Sequence, residues 1–291
     1  MKKALLVGIN DYPGSSNDLA GCVNDTANLR SLLIKEFGFD AAGIRVLTDK
    51  GATRAAILEG LSDLVANAGR GDTLVFHYSG HGSQVPDEDE DERADRMDEI
   101  ICPRDFSWDG CWISDDDLSD VFSRLPKDVH LEVLLDCCHS GTGTREIALG
   151  RQSGATSAGL VRTLRSAPRM ARVRYLPPPA SMAAKLSAGK RAAAAAEKIG
   201  TLVRAKPRGL NHVLWAACKS NQYSADADIG GSPNGAFTWF FCDEVRKAVS
   251  GTARSALLAS IRKGLAADGF DQTPQLECEK QFRDGGVFSA G

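Results

Sequence analysis

No apolar run in the 291 residues approaches the roughly 20 needed to cross a bilayer, so no membrane partner is expected. The opening Met1-Lys2-Lys3-Ala4-Leu5-Leu6-Val7-Gly8-Ile9 is basic and then apolar, but it is too short for a secretion signal and lacks a small-residue cleavage pattern. It is expected instead as a first buried strand. The eight cysteines, at 22, 102, 111, 137, 138, 218, 242 and 278, form no Cys-x-x-Cys pair and no zinc spacing. Scattered in mostly apolar surroundings, they read as reduced thiols, which places the chain in a reducing cytoplasm. No internal repeat is present. What remains is 43% hydrophobic residues, enough to fill a sizeable core.

Apolar runs rich in leucine and β-branched residues at 3–9, 44–48, 73–79 and 130–137 alternate with helical patterns. Residues 25–37 carry Leu29, Leu32, Leu33 and Phe37 on one face and stop at Gly38, while 53–68 opens on Thr53 as a cap. The alternation predicts an α/β fold in three layers, a mainly parallel central sheet with helices on both faces. In such sheets functional groups gather at the carboxyl ends of the strands. Residues 145–208 differ: fourteen basic residues stand against two acidic ones, Glu146 and Glu197, a surplus of +12, alongside a triple proline at 177–179 and an alanine run at 192–196. This stretch is expected as an exposed, partly disordered linker. Beyond it, a strand at 212–218, helices at 236–249 and 253–267 and a short strand at 274–278 resume the pattern. The chain thus reads as one catalytic domain, with a region 1–144, the linker 145–208, and a region 209–291 that completes the sheet.

Two strand ends carry chemistry: His77-Tyr78-Ser79-Gly80-His81-Gly82 and Asp136-Cys137-Cys138-His139-Ser140-Gly141. A cysteine on one and a histidine on the other can meet as thiol nucleophile and general base, the arrangement of a cysteine hydrolase. Strand alternation puts Cys138 on the face of Asp136 and turns Cys137 toward helix packing, so Cys138 is the expected nucleophile, made accessible by the turn that follows. His81, between two glycines that keep side chains out of a substrate's way, is the expected base, and His77 a packed residue. The backbone amides of Gly82 and Cys138 are expected to receive a developing oxyanion.

These motifs resemble those of the metacaspases and their bacterial caspase-like relatives, as do Leu19-Ala20-Gly21-Cys22-Val23-Asn24-Asp25, Met97-Asp98-Glu99-Ile100, Ile113-Ser114-Asp115-Asp116-Asp117-Leu118 and Gln272-Thr273-Pro274-Gln275-Leu276. The resemblance implies a caspase-like fold and a monomeric endopeptidase that cleaves polypeptides after Arg or Lys, with a His81–Cys138 dyad. It further implies a substrate pocket floored by Asp25 and Asp136 and lined by Cys22 and Ser79. Two carboxylates beside the nucleophile suit a guanidinium or ammonium and repel an acid. Asp25 equally suits the first turn of a helix, where a carboxylate meets the positive dipole end.

The resemblance also implies calcium as a regulator, through Asp98, Asp115 and Asp116; clustered carboxylates are suitable calcium chemistry. Arg145 stands where the calcium-dependent members carry an Asp. The run Asp115-Asp116-Asp117 after Ser114 has a second reading as a capped helix start, and the run 87–92 as a solvated charge cluster. The basic linker reads as a built-in substrate for an acidic pocket, cut by the enzyme itself, with Arg145, Arg151, Arg162 and Arg165 nearest the nucleophile. As a nucleic-acid surface it is poor, since Tyr175 is its sole aromatic and the rest of the chain is acidic. The competing readings are an inactive caspase-like scaffold, which would normally have lost the His or the Cys, and a peptidase specific for Asp or Asn.

Overall fold

Along the first strand, β1 (Lys2–Gly8), Ala4 and Leu6 enter one apolar cluster while Leu5 and Val7 enter another, so both faces are buried. That alternation makes three layers. In this computed structural model, which describes residues 1–86, 97–138, 171–182, 212–219, 222–249 and 251–289, the elements follow in chain order. First come α1 (Cys22–Phe37), β2 (Ile44–Thr48), α2 (Arg54–Ala66), β3 (Thr73–Ser79), β4 (Gly82–Pro86), β5 (Met97–Ile101), β6 (Ile113–Ser114), α3 (Asp115–Phe122) and β7 (His130–Asp136). Then come β8 (Arg172–Val173), β9 (Val213–Ala216), β10 (Ala225–Ile229), β11 (Ser232–Gly235), α4 (Ala236–Lys247), α5 (Arg254–Ala267), β12 (Gln275–Glu277) and α6 (Lys280–Arg283).

The central sheet runs β12-β9-β7-β3-β1-β2, parallel throughout except for the antiparallel β12 at its edge. Leu29, Leu32 and Leu33 of α1, Phe237 and Phe241 of α4 and Leu257 and Ile261 of α5 cover one face. Ile57 and Leu61 of α2 with Val121 and Phe122 of α3 cover the other. The mainly parallel three-layer sheet read from the sequence is the architecture found. No helix among the described residues is long and apolar enough to cross a membrane.

Local chemistry sets the element ends. Gly38 closes α1 in the left-handed conformation (φ 66°), donating its N–H to Leu33. Thr53 caps α2 by accepting from Ala56 N–H, and Ser114 with Asp117 forms a complete capping box on α3. The helix expected at 25–37 begins three residues earlier, at Cys22, which puts Asp25 in its first turn. Two small antiparallel sheets, β4-β5-β6 and β11-β10-β8, escaped the sequence reading. Both lie at the carboxyl end of the central sheet and supply walls of the cleft described below.

One expectation fails within the basic linker. Far from being exposed throughout, the stretch 171–182 packs onto the body: Arg174, Tyr175 and Leu176 are all buried, and β8 pairs with β10 through Val173↔Ala225. The acidic run 87–92, the residues His139, Ser140 and Gly141, and Arg145, Arg151, Arg162 and Arg165 lie outside the described residues.

Candidate active site

Ser79 and Asp136 are register partners at the carboxyl ends of β3 and β7, and the two motifs run on from there side by side. Leu131, Val133, Leu135 and Cys137 enter the core under α2 and α3. Glu132, Leu134 and Asp136 alternate with them, which is the alternation expected of Cys137 and its neighbours. Cys138 joins a separate small cluster with Tyr175, Cys218 and Tyr223.

His81 is fixed through its backbone. Its N–H donates to the Tyr12 hydroxyl (2.9 Å), and its carbonyl accepts from the Tyr78 hydroxyl (2.7 Å) and from Cys102 N–H (3.0 Å). A Cβ on Gly80 would lie 2.5 Å from both of those hydroxyl oxygens. Gly80 is therefore glycine to admit the two tyrosines, not to leave room for a substrate as expected from its position. The imidazole Nε2 sits 2.7 Å from the Asn17 carbonyl. A carbonyl can only accept, so Nε2 carries the proton and Nδ1 is the basic nitrogen. Nδ1 is buried and has no hydrogen-bond partner among the described residues. Burial pushes the His81 pKa down to about 4, against the upward pull of the Asn17 carbonyl.

The Cys138 side chain, expected to be accessible, is fully buried. The segment 174–176 lies over it, with Tyr175 in its cluster. Its Sγ lies 2.6 Å from Ser224 N–H. The amides of Cys138 (3.1 Å) and Gly82 (3.2 Å) both donate to one oxygen, the carbonyl of Arg174. His81's neighbour and Cys138 thus converge on a single peptide group of the same chain.

The Arg174 side chain runs from that carbonyl into a buried acidic pocket. Its Nη1 donates to Ser79 Oγ (2.7 Å) and to the Asp136 carbonyl (3.1 Å) and lies 3.2 Å from Asp136 Oδ1. Its Nη2 reaches Asp25 Oδ2 (2.8 Å) and Asp226 Oδ1 (3.0 Å). Each carboxylate is also held by main-chain donors: Asp25 by Gly235 N–H (2.9 Å), Asp136 by Thr238 N–H (2.9 Å), and Asp226 by Ala20 N–H (2.7 Å) and Gly21 N–H (2.9 Å). Three acids face one guanidinium, and burial together with the charge of Asp136 lifts Asp25 to about 6 despite the opposing pull of Arg174. Cys22 is buried within the electrostatic reach of Arg174, Asp226 and Asp25, and burial raises its thiol pKa.

Asp226 and Gly235 were missed in the sequence. A Cβ on Gly235 would lie 2.4 Å from Asp136 Oδ2 and 2.5 and 2.6 Å from the two guanidinium nitrogens, so the absent side chain is part of the pocket's shape. Gly235→Ala is expected to destabilise the fold by about 1–3 kcal/mol, the cost of overpacking a filled site, in denaturant unfolding.

Asp98 lies on β5, while Asp115 and Asp116 open α3; the Ile100↔Ser114 rung joins the two strands that lead to them. Asp117 is committed to the capping box and to Arg54 Nη2 (3.0 Å). Among the described residues no group of three or more His, Cys, Asp or Glu stands together as a metal cage, so these residues alone do not complete a calcium site.

Acidity acts on this buried chemistry. His77 and His81 both have pKa values pushed down by burial to about 4, below the ordinary 6.5. Between those values the unfolded chain binds protons that the folded chain refuses, so stability falls as pH drops through the window. Asp25, raised from 3.8 to about 6, opposes them with one proton taken up by the folded state. His212, which burial also pushes down to about 4, adds a third such proton; three protons outweigh one, and calorimetry on a Cys138→Ala chain is expected to show Tm falling from pH 6.5 to pH 4.

Similarity to proteins of a known family places the chain among the cysteine-type endopeptidases. The metacaspase peptidase C14 domain matches residues 2–145. Metacaspase-1A of Aspergillus fumigatus is 35% identical over 95% of this chain and 68% of its own length, and that of Aspergillus niger is 33% identical over 95% and 70%. The chain belongs to the metacaspases. A crystal structure of a Geobacter sulfurreducens protein shares the fold, with a TM-score of 0.67 at 24% identity over 99% of this chain and 98% of that one.

Proposed function

We propose that the chain is an endopeptidase that cleaves after Arg or Lys with a Cys138–His81 dyad, and that it first cuts itself after Arg174. The observation that carries the reading is Arg174 itself, its carbonyl between two amides and its guanidinium among three carboxylates. In the reaction the Cys138 sulfur attacks the carbonyl carbon while His81 Nδ1 takes the thiol proton. The amides of Gly82 and Cys138 hold the oxyanion, and collapse breaks the C–N bond as His81 returns the proton to the leaving amine. Water, deprotonated by His81, then hydrolyses the thioester and restores the thiol. A buried aspartate side chain in this pocket would meet three like charges, which argues against Asp specificity.

Calcium enters the proposal as a regulator only, with Asp98, Asp115 and Asp116 as its protein ligands. The proposal includes a monomer, as the family resemblance implies, and eight free thiols support a reducing, cytoplasmic setting. The test is intact-mass analysis of wild type and Cys138→Ala, with and without calcium. Wild type is expected to yield fragments 1–174 and 175–291, and the variant to stay whole. The same uncut chain in both, under both conditions, overturns the self-cut; faster cleavage of Asp than of Arg fluorogenic peptides overturns the pocket.

A further inference from the structure

The residues after Arg174 are held as firmly as Arg174 itself. Tyr175 forms a parallel bridge with Gly82, and Leu176 N–H donates to the Gly82 carbonyl (3.1 Å). Gly82 therefore grips the segment twice, by its N–H on the carbonyl of Arg174 and by its C=O on the amide two residues on. The Leu176 carbonyl accepts from Ser83 Oγ (2.6 Å), a hydroxyl that is itself fully buried. Both backbone polar groups of Leu176 are thus paired with the β4 edge, the manner in which a strand is added to a sheet.

The side chains are housed too. The Tyr175 ring lies 6.1 Å from that of Tyr223 at a 60° tilt, in the apolar cluster with Cys138 and Cys218, and is 5% exposed. Leu176 is 6% exposed and belongs to the core cluster under α2 and α3. On the other side of Arg174, by contrast, Val173 is only half-buried and Arg172 is exposed. Apart from Arg174, burial is concentrated downstream of the bond.

We propose that the enzyme reads its polypeptide substrates beyond the scissile bond, in a site built by the Gly82–Ser83 edge of β4 and the Tyr223–Cys218 wall. That site takes an aromatic residue directly after the basic one and an aliphatic residue next. The proposal rests on the reading that the Arg174–Tyr175 bond occupies the scissile position. Substrates would then be extended segments of the type Arg-Tyr-Leu, and an arginine joined to a small leaving group would use only half of the cleft.

The full chain, incubated with calcium, is given internally quenched peptides identical through arginine and followed by Tyr-Leu or by Gly-Gly, and an arginine coumarin amide that ends at the leaving group. The Tyr-Leu peptide is expected to exceed the Gly-Gly peptide in kcat/KM by at least about tenfold, the worth of burying a large apolar side chain. Ser83→Ala is expected to lower the ratio of Tyr-Leu peptide to coumarin amide about 3- to 10-fold, the worth of one hydrogen bond. Equal rates for the two peptides in wild type overturn the proposal while leaving the arginine pocket standing. Cleavage of none of the three overturns both.

Discussion

Asp136→Asn is expected to lower kcat/KM for arginine peptides by more than about 100-fold, and to slow the self-cut in proportion. Asp136 is fully buried and acts only as an acceptor. Oδ1 takes the Ser224 hydroxyl (2.6 Å), and Oδ2 takes the Thr238 hydroxyl (2.7 Å) and the Thr238 N–H (2.9 Å) at the start of α4. An asparagine amide would set its own N–H groups against one of these donor sets and would withdraw a charge from the guanidinium. Breaking one partner out of a buried ion pair costs about 3–5 kcal/mol, which as a loss of transition-state binding is a factor of about 100 or more. Thermal melts separate the two consequences: a folded variant with the kinetic loss supports the pocket, whereas wild-type kinetics would remove Asp136 from it.

Arg174→Ala, made in a Cys138→Ala chain so that both proteins stay whole, is expected to lower stability by about 3–5 kcal/mol. Removing the guanidinium leaves Asp25, Asp136 and Asp226 facing one another, and the first of these loses the cation that holds its pKa at about 6. The pocket must then take up a proton or admit water, and either course costs part of what the ion pairs contributed. Agmatine, a small free guanidinium, is expected to raise the Tm of the double variant more than that of Cys138→Ala alone, by mass action on an emptied pocket. An unchanged Tm in both experiments would mean that Arg174 is not held as its contacts indicate. With the nucleophile restored, Arg174→Ala is expected to abolish the fragment ending at residue 174 in intact-mass analysis.

Much of this was legible in the residues. The parallel strands announced themselves as apolar runs, and period-two alternation separated Cys137 from Cys138. Asp25, Ser79 and Asp136 fell in motifs whose resemblance pointed to a pocket, and all three touch the Arg174 guanidinium. Asp226 was illegible because its strand, Ala225-Asp226-Ala227-Asp228-Ile229, is built from residues with weak strand preference, which hid both the strand and the direction of its second residue. Gly235 contributes by having no side chain, which no chemical pattern reveals. Arg174 was one cation among fourteen. The available hint was Tyr175, the linker's sole aromatic, followed by a leucine: two large apolar side chains in succession ask for burial, and burial drew their neighbour in with them. Cys138 was expected in the open because the turn could be read and its cover could not.

The occupant of the cleft is tethered to it. Cys138 and Arg174 are joined by 35 intervening residues of the same chain, so the captive arginine faces its receptor at a local concentration on the order of millimolar, set by tether length and not by how much protein is present. Its first turnover should therefore follow first-order kinetics at any dilution, and because a cut after Arg174 leaves that leash whole in the fragment 1–174, a wandering peptide must still compete with a product arginine that stays on its tether.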